Sequence, residues 1–132
     1  MNKNDNPCFA PQLYIKAGIT DISFYEKAFA AIELRRWTNE DGTIHVAELS
    51  IEGALFHLHE EKINAGQFSP EHINGTTAII GLFVSNVDDT MAKAIEAEAM
   101  VISPAQNYEY GYRQGQIKDP FGHTWMIEMK IE

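Results

Sequence analysis

The chain contains one cysteine, Cys8, so no disulfide can close within it, and a reducing compartment suits it. Basic residues are scarce: 10 Lys and Arg stand against 19 Asp and Glu, a net charge of −9. A nucleic-acid surface needs clustered cations, and Arg35-Arg36 is the one basic doublet, so no nucleic-acid partner is expected. No apolar run approaches the roughly 20 residues of a membrane span, and no membrane partner is expected. Residues 1–7 lack the apolar core of a signal peptide and read as a short frayed tail, which makes a cytoplasmic location the expectation. There is no Gly-rich phosphate loop, cysteine cluster or serine elbow. What remains is ordinary for a globular protein: 132 residues, 45% hydrophobic, enough for one compact domain over 1–132.

The most informative segment is Asp119-Pro120-Phe121-Gly122, a turn signature. Proline presets φ for the second turn position, and the Asp side chain can accept from the backbone beyond it. Thr124, Met126, Glu128 and Lys130 then alternate with Trp125, Ile127, Met129 and Ile131. The second set is wholly apolar and the first mixed, which describes a strand with one face on a core and the other on a wetter space.

The order of elements repeats. A short strand with Leu13 and Ile15 on one face and Gln12, Tyr14 and Lys16 on the other precedes a helix over 20–31, striped by Ile22, Tyr25, Phe29 and Ile32. Strands over 33–38, 43–51 and 54–59 follow, giving β-α-β-β-β. A strand over 78–85 then leads to Asn86, a helix N-cap with Asp88 and Asp89 in the first turn. That helix runs to 99, striped by Val87, Met91 and Ile95; strands over 101–103, ended by Pro104, and over 113–118 and 124–130 complete a second set. Module one thus spans 11–60 and module two 78–131, with a linker over 61–77 and a tyrosine-bearing loop over 104–112. The fold class is α+β, two tandem βαβββ modules forming a curved mixed sheet around a cleft.

The paired modules, the helix Ile22-Ser23-Phe24-Tyr25-Glu26-Lys27-Ala28-Phe29 and the closing Asp119-Pro120-Phe121-Gly122-His123 resemble the vicinal oxygen chelate superfamily. That group takes in glyoxalase I, bleomycin- and fosfomycin-resistance proteins and extradiol dioxygenases. The resemblance covers about residues 11–130 and implies a homodimer with cavities between paired modules. In metal-dependent members the first and last strands of each module supply the ligands. Those positions fall here on Ala10 (or Gln12, two residues on), His57, Ile79 and Met126. Of these, His57 is a normal ligand for a divalent ion; Met is soft and Ala and Ile have no donor. No cofactor is therefore expected. The expected activity is metal-independent binding of a small planar or apolar molecule in the inter-module cleft, lined by Gln12, Tyr14, His57, Phe83, Tyr110, Arg113 and Met126.

The alternative is a metal-dependent lyase, isomerase, transferase or dioxygenase whose divalent metal sits in a rearranged site. His57 and His59 share a strand face, and Glu128 across the cavity would be a third ligand. His57 and Glu128 are also the candidates for acid–base work. His45 and His123 are expected to be structural, the latter bonded to nearby backbone.

Overall fold

The computed structural model describes residues 6–132; the first five residues of the expected tail lie outside the described residues. The chain is α+β and is built from two βαβββ modules. Module one contains β1 (Gln12–Ile15), α1 (Phe24–Phe29), β2 (Ile32–Thr38), β3 (Ile44–Ile51) and β4 (Ala54–Glu60). Module two contains β5 (Ile79–Phe83), α3 (Val87–Glu96), β6 (Met100–Tyr108), β7 (Tyr112–Lys118) and β8 (Thr124–Lys130). Each forms a four-stranded sheet, ordered β1-β4-β3-β2 and β5-β8-β7-β6. The first pair in each sheet is parallel and the others antiparallel.

Several boundaries differ from the sequence expectation for local reasons. Helix α1 stops at Phe29 because Ala30 turns left-handed (φ 56°) and the Ala30 and Ala31 amides bond back to Glu26 and Tyr25 carbonyls. Ile32 therefore leaves the helical stripe and begins β2, 63% exposed. In α3 the buried residues are Val87, Met91 and Ala94, whereas Ile95 lies one position off that stripe and is half exposed. Pro104 does not end β6: that strand is the sheet edge, where proline's missing N–H need not leave a ladder bond unmade. The tyrosine loop accordingly shrinks to a tight turn, with Gly111 at φ 90°. The linker is not structureless. It folds into a 3-10 turn (Ile63–Ala65) and α2 (Pro70–Ile73), which has proline in its first turn and Ser69 accepting from the His72 amide.

The apolar faces of both sheets converge on α1. The Tyr25 ring lies 5.3 Å from Phe56 of β4 and 5.8 Å from Trp125 of β8, and Phe56 and Trp125 are 5.6 Å apart. Within this core Asp119 is 3% exposed yet fully engaged. Its carboxylate accepts from the Phe121 and His123 amides (2.9 and 3.0 Å), the Trp125 indole (2.9 Å) and the Tyr25 hydroxyl (2.5 Å). Burial first, and then this neighbouring carboxylate, push the Tyr25 phenol well above its ordinary pKa. His123 does not bond local backbone as expected. Its Nε2 stands 2.7 Å from the Tyr14 carbonyl, tying the terminal turn to the free edge of β1.

Because these are the faces that meet, the other face of each sheet is turned outward. The strands form two separate, unclosed four-stranded sheets.

Candidate functional site

Strand register assembles the outward face of module one. Gln12 of β1 stands beside His57 of β4, His57 beside Glu48 of β3, and Glu48 beside Arg35 of β2. The next row runs Tyr14, His59, Val46, Trp37, and the Arg35 guanidinium lies 4.3 Å above the Trp37 ring. The polar centre is a connected network. Gln12 Nε2 donates to the Ala10 carbonyl (3.2 Å), which aims its amide oxygen at both imidazoles, 3.1 Å from His57 Nδ1 and 2.6 Å from His59 Nε2. His57 Nε2 faces Glu48 Oε2 at 3.1 Å. Both ring nitrogens of His57 are thus held by contacts, one to Gln12 and one to Glu48. Burial, then the like charges of His57 and His45, lower the pKa of His59, which favours its neutral form. Neutral His59 donates to Gln12 through Nε2, and its Nδ1 is left as an acceptor. His45 is skipped by the β2–β3 register and reaches Glu60 Oε1 at 3.3 Å, which fits its structural role.

Module two presents a different chemistry. Gly81, Met126 and Gln116 form one row and Phe83, Glu128 and Gln114 the next, with Tyr112 beyond. Glu128 is 8% exposed. Its Oε1 accepts from Gln114 Nε2 (2.8 Å), and Gln114 Oε1 in turn accepts from the Tyr110 hydroxyl (2.5 Å). Its Oε2 lies over Gly81, where an added Cβ would approach to 2.7 Å. Gly81 is therefore the hollow that admits the carboxylate. Phe83, Tyr112, Tyr110 and Tyr108 make a chain of ring contacts with centroids 5.3–6.0 Å apart.

The expected site residues therefore divide. Gln12, Tyr14 and His57 come together on sheet one, while Phe83, Met126 and the turn residue Tyr110 belong to sheet two. Arg113 is a correction, because it points to the helix side, donating to Asp88 (2.7 Å) and Asn107 (3.0 Å). Its alternation with buried Gly115 and Ile117 is a signal in the sequence that places it there. The alternative metal set is not assembled in a chain either. His57 and His59 lie on sheet one and Glu128 on sheet two, and among the described residues no three His, Cys, Asp or Glu are grouped to hold an ion. Nor do the four positions used by metal-dependent relatives fit a metal. Ala10 and Ile79 have no donor, Gln12 and His57 are bonded to one another, and Met126 is soft. Sequence reading missed Glu48, Gln114 and Gly81, whose roles depend on register. A cavity of about 580 Å³ opens elsewhere, between α1, α3 and the end of β5, and Phe83 is the candidate residue that reaches it.

Two βαβββ modules sharing a core, each with a polar strand face turned outward, define a paired-module protein of the glyoxalase type. The model of the Glyoxalase/Bleomycin resistance protein/Dioxygenase superfamily matches residues 21–127, and the chain belongs to that superfamily. An uncharacterised protein of Mycobacterium tuberculosis is 33% identical over 131 residues, covering 97% of this chain and 77% of the relative. The solved structure of an Arabidopsis thaliana gene product is 25% identical with a TM-score of 0.71, covering 94% of this chain and 99% of that one. The fosfomycin resistance protein FosX of Listeria monocytogenes shares the fold at 15% identity, with a TM-score of 0.66 and coverage of 93% and 92%. No helix among the described residues is long and apolar enough to cross a membrane.

Proposed function

We propose that this protein binds a small planar or apolar molecule bearing a polar group, without a metal, in a cleft formed by two copies of the chain. The outward face of module one of one copy meets the outward face of module two of the other. The observation that carries this reading is the division of the candidate residues between two faces turned outward from a shared core. One face holds the Gln12–His57–Glu48 network and the other Glu128 with its aromatic neighbours. Exposure of Ile79 (53%) and Phe83 (60%) on the second face supports a covering surface, since large apolar groups gain by leaving water. Aromatic and aliphatic walls with a few fixed polar groups are the composition of small-molecule sites. Neutral His59 supplies a ligand hydroxyl or N–H with an acceptor, and Gln12 and Glu48 hold the imidazole pair in place.

A planar bicyclic probe, quinoline, tests this in ¹H–¹⁵N spectra. The expected result is that amides of β1 and β4 and those of β5 and β8 shift together with one affinity. Shifts confined to one sheet, or no shifts, would overturn the reading.

A further inference from the structure

We infer that the face of module two is a site for a cationic nitrogen, and that the ligand of the proposed cleft is therefore an organic cation carrying a planar or apolar body. This deepens the functional reading above and rests on it. Two buried carboxylates in the same chain make the contrast. Asp119, 3% exposed, accepts from four donors, each within 2.5–3.0 Å. Glu128, 8% exposed, accepts from Gln114 alone. Gln114 accepts the Tyr110 hydroxyl at Oε1 and donates through Nε2 to Glu128 Oε1. The other oxygen of Glu128 lies over Gly81 with no protein donor. Ion pairs among the described residues engage Arg36, His45, His57, Lys93 and Arg113, each with a different acid; Lys130, on the same face of β8, is not paired with Glu128.

Glu128 Oε2 still meets water in the single chain, and covering this face in the proposed cleft would withdraw it. A carboxylate so withdrawn and given one donor is unfavourable unless a further donor or a positive charge completes it. What surrounds it fits such a charge. Phe83 (60% exposed) and Tyr110 (63% exposed) flank Tyr112, with ring centroids 6.0 and 5.8 Å from it. Aromatic faces attract cations and also cover an apolar body. An anion would meet Glu128 at close range and be repelled, and a neutral ligand without an N–H or O–H aimed at it would leave the free oxygen unmet. The chain's net charge of −9 adds a field of the same sign, which steers cations toward the surface.

The test compares N-methylquinolinium with quinoline, a neutral probe of nearly the same shape at pH 7.5, by titration calorimetry on the full chain. The cation is expected to bind at least tenfold tighter, with a preference that shrinks as salt is raised. In Glu128→Gln the two probes should bind alike. Gly81→Ala, whose new Cβ would press on Glu128 Oε2 from 2.7 Å, should reduce the preference independently. Equal affinities in the wild-type protein overturn this inference and leave the cleft standing. A preference that survives Glu128→Gln also overturns it. If neither probe binds, the inference falls together with the cleft.

Discussion

At the scale of single residues, the terminal turn links sequence to architecture most directly. Asp119 closes its own turn by accepting from two amides and joins the modules by accepting from Tyr25 and Trp125. Replacing Tyr25 with Phe leaves the ring packed and removes one donor from a buried carboxylate. Loss of a hydrogen bond to a buried charge costs about 1–3 kcal/mol. Urea unfolding of Tyr25→Phe should show a loss of that size with an unchanged slope, since the surface exposed on unfolding is the same. The sequence showed the turn and Asp119's place in it. It did not show the Tyr25 partner, 94 residues away, because long-range pairing depends on how the modules pack.

At the scale of elements, parity was legible and register was not. Trp125 and Ile127 fall on the buried face of β8, and Met126 and Glu128 on the other, as alternation requires. Glu48 and Gln114 became visible once antiparallel register set them beside His57 and Glu128. The apolar stripe of α1 continues past the helix end into β2 at Ile32, a strand residue, so the pattern alone overshoots the helix. Proline is excluded from interior strands but tolerated at an edge, and nothing in the sequence around Pro104 marks β6 as the edge. Gly122 offers a test of how tightly the terminal turn is held. It has φ 94°, and an added Cβ would come within 2.8 Å of Pro70 in α2. Left-handed backbone costs a residue with a Cβ about 1–2 kcal/mol before any clash. Gly122→Ala should therefore lower the thermal midpoint by several degrees, at about 4–8 °C per kcal/mol for a domain near 100 residues. A fall no larger than the backbone cost alone would mean that α2 yields freely, and an unchanged midpoint would contradict the strain expected at this turn.

At the scale of the whole molecule, the fold was legible from the repeated element order, and the site was legible only as two lists of residues. Alternation tells which residues leave the core together. It does not tell whether two such faces turn toward each other, which is decided here by the aromatic contacts that join the opposite faces around α1. In the proposed assembly, a two-fold pairing of copies would complete two equal sites, each drawing one wall from either chain. The most direct measurement mixes two variants that each block one wall, His57→Trp and Met126→Trp, after thermal unfolding has shown both to be folded. Neither alone should bind quinoline. In an equimolar mixture allowed to exchange subunits, random pairing leaves about a quarter of all clefts with both walls intact, and quinoline binding should return to that fraction. No recovery in a mixture shown to contain mixed dimers would place both walls in one chain and contradict the account.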